Sequence, residues 1–381
     1  MELATRIFDV VTRPENVAPK AKALLSELSS SDTVAYWRRV LRMAALCHDM
    51  GHLPFSHAAE FLLPEGTTHE TISAAIIRSD AMKNIWNAMT PPLRADDVVK
   101  LALGPKEAKG MQFSAWQAIL AEIIVGDAFG ADRMDYLLRD SYHAGVAYGR
   151  FDHYRLIDTL RILPSPPREK NVGGDGAESG VELGVEHGGL HSAEALMLAR
   201  YFMYSQLYYH CVRRIYNVHL ADFLTNWLPG GKFTTAVDAF LKLSDNEVNA
   251  AIGEAARNKN KKGHDAARRI VTRDHFRLVY ERNPEDVKIN PEAGKAVYAA
   301  LVKELGKGTV HHDFLPPKGG APEFPIRMND GRIASSAAVS ETLSKLPVPS
   351  VDFVFADNTV AAAARDFIEK SRNDILNVEE N

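Results

Sequence analysis

Between Leu46 and His57 the chain reads Leu-Cys-His-Asp-Met-Gly-His-Leu-Pro-Phe-Ser-His, and by His69 the same run has gathered four histidines and three acids. The segment before it is apolar with helical spacing (Val40, Met43, Ala44, Cys47), which predicts a mostly buried helix carrying His48 and Asp49 on its last turn. Gly51 and Pro54 then end that helix. Adjacent helical side chains diverge by roughly 100°, so His48 and Asp49 share a metal only if it sits off the helix end between them. An imidazole beside a carboxylate suits a borderline divalent metal such as Mn, Fe or Zn.

A single His-Asp pair is equally well explained as a buried histidine with a carboxylate partner. Three further features favour a site. His52 lies one turn beyond His48, and His57 and Glu60, three apart, share a face of a short following helix. His69 follows a candidate N-cap, Thr67, since Thr67-x-x-Glu70 fits a capping box, which also gives Glu70 a purely structural alternative. Downstream, Gly126-Asp-Ala-Phe-Gly-Ala-Asp-Arg-Met-Asp-Tyr-Leu-Leu-Arg-Asp140 breaks at its glycines after an apolar helix, Trp116 to Val125. Asp132 is placed to open a new helix as its N-cap. Spacings of four and eight from it put Tyr136 and Asp140 on one face, with Arg139 and His143 close by.

Cys-His-Asp-Met-Gly-His-Leu-Pro-Phe-Ser-His, the later His-Glu, and Asp-Arg-Met-Asp-Tyr-Leu-Leu-Arg-Asp together resemble the HD-domain phosphohydrolases. The likeness is to their dNTP triphosphohydrolase branch, which includes bacterial dGTPase-like enzymes and the vertebrate SAM-and-HD-domain dNTPase. It covers roughly Glu2 to Asp286. The resemblance implies a divalent ion (Mn, Fe, Mg, Zn or Ni) held by His48, Asp49 and Asp132, with a fourth ligand, a histidine upstream of a helix like Glu2-Leu-Ala-Thr-Arg-Ile-Phe-Asp. This chain begins at Met1 and has no residue for that place. The abrupt start of the helix leads us to expect a sequence that begins late; the alternative is a member that has lost a ligand. Three protein ligands still hold a metal in catalytic zinc sites.

At 381 residues, 46% hydrophobic and 25% charged, the chain has the balance of an ordinary globular protein of one large or two unequal domains. A net charge of −4 gives no general pull toward nucleic acid. No apolar run is long enough for a membrane span, the N-terminus lacks a signal-peptide core, and two cysteines make no disulfide framework. A cytoplasmic location is the expectation, with Cys47 a small core residue. The predicted fold class is mainly α, an HD-domain helical core with a small C-terminal α/β appendage. We divide it as a core over 1–163, a Gly/Pro-rich loop or small hairpin over 164–190, a helical continuation over 191–290, and the α/β region over 291–381. Within the loop, Val181-Glu-Leu-Gly-Val-Glu alternates as a hairpin strand does.

One long helix is predicted from Ala193 to Trp227, with Arg200, Tyr204 and Tyr208 recurring every four residues and His210 following. Such a stripe ordinarily faces a core. The resemblance instead implies substrate contacts: Arg200 on phosphate oxygens, Tyr208 on the sugar, and Asp140 accepting from the 3′-hydroxyl. Tyr204 departs from the histidine of the vertebrate enzyme. Lys259, Lys261, Lys262, Arg268, Arg269, Arg273 and Arg277 form a basic cluster. It is either a solvated surface or a site for a regulatory nucleotide or single-stranded nucleic acid. Strands are expected at Thr309 to Phe314, Phe324 to Met328 and Val351 to Phe355, in one short sheet. His311-His312 is discounted as a metal pair because strand neighbours face opposite ways.

Phosphate hydrolysis needs a positioned water, neutralised oxygens and a protonated leaving group. We expect His57, oriented by Glu60, to donate the proton, assisted by His69, while His52 and Arg133 bind phosphate. A nearby carboxylate favours protonated His57. The expected products are a deoxynucleoside and triphosphate. Rival readings are another HD-type nucleotidase or phosphodiesterase, and an impaired nucleotide- or nucleic-acid-binding module. By resemblance, a homo-oligomer is expected.

Overall fold

The computed structural model describes residues 1–166, 180–317 and 320–377. Most of the Gly/Pro-rich loop, 167–179, lies outside the described residues. The chain divides into two compact units, 1–52 with 67–203 and 320–347, and 53–66 with 204–319 and 348–381. Among the described residues, no helix is long and apolar enough to cross a membrane.

The first unit is a helical assembly whose order follows its apolar spacing. Ser30 caps the Ser31–Cys47 helix by accepting from the Thr33 N–H at 3.3 Å, and Val40, Leu41, Ala44 and Cys47 face inward. Burial pushes the Cys47 thiol up to about 11, as befits a small core residue. The Glu2–Val11 helix buries Phe8 against Trp116 of Ala115–Val125, ring centroids 6.1 Å apart. Each such fully buried aromatic contributes about 2–3 kcal/mol. Two short turns follow, Pro19–Lys22 and Ser26–Ser29.

A four-stranded sheet completes this unit. Strand β1 (Leu160–Pro164) pairs antiparallel with β2 (Val181–Glu186), the predicted hairpin strand. After β3 (Arg277–Glu281) and β4 (Val310–Leu315) of the other unit, the chain returns as β5 (Pro325–Arg327) and β6 (Ile333–Ser335). Strand β5 pairs parallel with β2, and β6 antiparallel with β5. A Cβ on Gly184 would stand 2.1 Å from the Pro325 carbonyl oxygen, so the β2–β5 approach requires glycine.

The second unit is built on β7 (Val351–Ala356), wholly buried between β3 and β4, to both of which it is antiparallel. Val354 and Ala356 meet the helices Ala293–Leu305 and Ala361–Leu376, while Val351, Phe353 and Phe355 meet Ile215 and Phe276, the two-residue alternation of a strand covered on both faces. The segments expected to form one short sheet are therefore shared between two. In the first unit, two helical turns follow β6, Ser336–Val339 and Glu341–Ser344.

His219, 1% exposed, accepts from the Phe276 N–H through Nε2 at 3.3 Å. Burial, with Arg269, His275 and His311 adding to it, pushes this imidazole down to about 4. The unfolded chain then takes up its proton first as pH falls. Stability is unaffected above about pH 6.5, is lost between about 6.5 and 4, and the accumulated loss, about 3 kcal/mol, stays constant below that. Thermal midpoints across that range should decline in the wild type and flatten in His219→Gln, whose amide still accepts from Phe276.

Candidate metal centre

The buried helix ends at Cys47, two residues short of the expected Asp49, and His48 is its C-cap. His48 and Asp49 therefore occupy the turn that leaves the helix. Its shape is set by close packing on the next helix, His69–Ile77. The Ser73 hydroxyl donates to the His48 carbonyl at 2.8 Å and accepts from the Gly51 N–H at 2.9 Å. A Cβ on Gly51 would fall 2.1 Å from the His69 carbonyl oxygen and 2.4 Å from the Ser73 nitrogen. Only glycine allows that approach.

The cap of His69–Ile77 is Thr68, reciprocated by Thr71, rather than Thr67 with Glu70. Glu70 does not cap, and its Oε1 lies 3.1 Å from His69 Nε2. Asp132 is likewise not a cap. Gly130 is the N-cap of the Ala131–Ala144 helix, and Asp132 stands in its first turn. Its carboxylate turns to His48.

The three residues expected to ligate do converge within the first unit, with ligand atoms all within 4.8 Å of one another. His48 Nε2 is 3.3 Å from Asp49 Oδ2 and 3.2 Å from Asp132 Oδ1. Although buried, Nε2 makes no hydrogen bond to either. Nδ1 faces the Ala45 carbonyl at 3.2 Å, an acceptor only, so Nδ1 carries a proton and Nε2 points at the two carboxylates. Burial would push the His48 imidazole down, but the Asp132 and Asp49 carboxylates outweigh it and hold it above the ordinary histidine value. The position selects positive charge, a proton or a cation. Burial would likewise raise Asp49, but His52, His48 and His69 hold it below the ordinary carboxylate value. One imidazole with an oriented second nitrogen and two carboxylates fits a borderline divalent ion.

Around this cluster His52 Nε2 lies 3.3 Å from Asp49 Oδ1, and the His52 and His69 rings are 4.4 Å apart between centroids. Tyr136 and Asp140 follow Asp132 on one half-buried stripe, where Arg139 Nη1 donates to Asp140 at 3.2 Å. Arg133 donates to the Gly126 carbonyl and to Asp127, and Arg200 to the Asp127 carbonyl. Asp127 was not singled out from sequence; its one signal was a charged residue between the helix-breaking Gly126 and Gly130.

The other candidates belong to the second unit. His57 Nδ1 lies 3.1 Å from Glu60 Oε2 on the Ser56–Leu62 turn, the expected pairing. Phe55 and Ser56, just before it, have φ of 60° and 57°, a left-handed conformation uncommon outside glycine. Phe55 is held there by its N–H donating to Asp245 Oδ1 at 2.9 Å. The predicted long helix is interrupted. It ends at Met203, passes through a π-helical turn at Tyr204–Tyr208, and resumes as Cys211–Trp227. Tyr204 packs edge-on to Tyr208 with centroids 5.1 Å apart. His210 caps the second helix, Nδ1 accepting from the Val212 N–H at 3.3 Å. In the basic cluster Lys261, Arg268 and Arg269 pair with Glu254, Asp274 and Asp357, so much of its charge is balanced in place. His312 pairs with Asp352 at 2.7 Å.

Residues 15–138 match the family model described as HD domain, and residues 151–298 that described as HD associated region. The chain is an HD-domain protein. The His-Asp turn and Asp132 thus lie within the HD domain itself. This HD-domain protein is 33% identical over 187 residues, 49% of its length, to the uncharacterized protein YwfO of Bacillus subtilis, of which 37% is covered. It is 26% identical over 301 residues to the deoxynucleoside triphosphate triphosphohydrolase SAMHD1 of Homo sapiens, covering 70% of this chain and 45% of that one. The chain therefore spans less than half the length of both these relatives. A hypothetical protein from Aquifex aeolicus has the same fold, with a TM-score of 0.69, 25% identity, and coverage of 96% of this chain and 92% of that one.

Proposed function

We propose that this HD-domain protein is a metal-dependent phosphohydrolase that converts deoxynucleoside triphosphates to deoxynucleoside and triphosphate. The observation that carries the reading is His48 Nε2, buried without a hydrogen bond and facing Asp49 and Asp132. The deoxynucleoside triphosphate triphosphohydrolase activity for which the SAMHD1 relative is named supports the choice of substrate. His48, Asp49 and Asp132 would hold the ion, which when bound supplies Lewis-acid polarisation of a phosphoryl oxygen and a more acidic water.

The remaining roles fall to side chains. Attack by water at the α-phosphorus breaks its bond to the sugar 5′-oxygen, and that oxygen must gain a proton. His57, with Glu60 as partner, is our proposed donor, assisted by His69. Charge spreading over the phosphate oxygens calls for His52, Arg133 and Arg200. Tyr136, Asp140, Tyr204, Tyr208 and His210 are proposed sugar and base contacts.

Metal analysis of the purified chain, followed by a dNTP panel with chromatography of products, tests the proposal. Release of intact triphosphate, abolished by chelation and restored by Mn or another divalent ion, is the expected result. Orthophosphate release instead would assign a different HD-type phosphoesterase, and binding without turnover a nucleotide-binding module.

A further inference from the structure

Within the first unit, Asp127 stands in the turn between the Ala115–Val125 and Ala131–Ala144 helices. The turn is closed on itself. The Gly126 N–H donates to the Glu122 carbonyl at 2.9 Å, and the Gly130 N–H to the Gly126 carbonyl at 3.1 Å. Three cationic side chains from three different stretches of chain converge on it. Arg133 donates from Nε to the Gly126 carbonyl at 3.0 Å and from Nη2 to Asp127 Oδ1 at 2.7 Å. Lys106 ion-pairs with Asp127 Oδ2. Arg200 donates from Nη1 to the Asp127 carbonyl at 3.2 Å.

Burial would raise the Asp127 carboxyl, but Lys106, Arg133 and Arg200 outweigh it and hold it below the ordinary carboxylate range. Lys106 and Arg133 meet the Asp127 carboxylate and Arg200 meets its backbone carbonyl, so one residue gathers the cluster. It adjoins Asp132 in sequence, since Arg133 is the next residue. Long cationic side chains surrender rotamer freedom when they bind, and a guanidinium already held in place surrenders less. Surface ion pairs of this kind add little to folding. Ligand binding should register the loss of Asp127 before stability does.

We infer that Asp127 is a positioning residue that sets Arg133, Arg200 and Lys106 as a seat for the phosphate chain of a polyphosphate substrate. It acts through those side chains and does not itself touch the phosphates. The inference rests on the phosphohydrolase reading above, which makes Arg133 and Arg200 phosphate-binding, and adds Lys106 and Asp127 to them.

The test is calorimetric titration of the metal-loaded full chain with inorganic tripolyphosphate, alongside steady-state kinetics. Asp127→Ala should weaken tripolyphosphate binding about tenfold and raise KM for a dNTP by about the same factor, with kcat moving far less. Asp127→Asn, which keeps an acceptor for Arg133, should recover most of the affinity. Melting temperature and metal content should match the wild type in both. Unchanged or tighter tripolyphosphate binding in Asp127→Ala overturns the inference, as does absent binding in the wild type. A joint fall in melting temperature and affinity that Asn fails to rescue overturns it too, since that marks a structural role. A chain that cleaves no dNTP yet shows the tripolyphosphate pattern retains Asp127's role and removes the nucleotide reading. A chain that cleaves dNTP with KM unchanged in Asp127→Ala does the reverse.

Discussion

If the proposed function holds, Asp132→Ala should lower turnover by on the order of a thousandfold and cut metal content, because several kcal/mol of transition-state charge stabilisation would depend on the ion that Asp132 is proposed to help hold. The fold should survive. Asp132 caps no helix, and its side chain is a third exposed, so its removal leaves neither a lost cap nor a cavity. What it leaves is His48 Nε2 facing Asp49 alone. Elemental analysis and circular dichroism on one preparation separate the two effects: metal content falls while the helical signal and melting temperature hold. Full metal occupancy and turnover in this variant would remove Asp132 from the site.

Gly51→Ala is expected to do comparable damage without altering a ligand. The added methyl would meet the backbone of His69 and Ser73 inside van der Waals range, and backbone cannot swing aside as a side-chain tip can. The turn bearing His48 and Asp49 must then lift from the His69–Ile77 helix, breaking both hydrogen bonds of the Ser73 hydroxyl. A loss of at least about 3 kcal/mol is expected from overpacking with broken hydrogen bonds. Metal affinity should fall with it. Ser73→Ala, which removes the hydrogen bonds but adds no bulk, should cost only about 1–2 kcal/mol. A Gly51→Ala protein melting with the wild type would show that the turn is not held by this packing. Denaturant melts and metal titrations of the two variants make the comparison.

The convergence of His48, Asp49 and Asp132 was readable in advance because it rests on short-range spacing and on a resemblance carried by contiguous blocks. So were helices whose apolar run was unbroken, such as Trp116 to Val125, found as Ala115–Val125. Misplaced features turned on a choice between near-equal neighbours. Thr67 and Thr68 both cap well, and which one does is decided by the packing of the turn above, not by propensity. The Ala193 to Trp227 stretch has no proline and only good helix spacing, so nothing local announces the π-helical turn at Tyr204. Asp127 was passed over for a related reason. Its importance comes from Lys106 and Arg200, distant in sequence, and pattern within one window does not report such partners. The division of the C-terminal strands between two sheets has the same origin, since alternation identifies a strand but not its neighbour.

The parallel pairing of β2 with β5 joins residues about 140 positions apart. During synthesis, then, this edge of β2 waits unpaired until about 140 further residues have been made. A nascent chain stalled before Pro325 would present that open strand to chaperones or to its own copies.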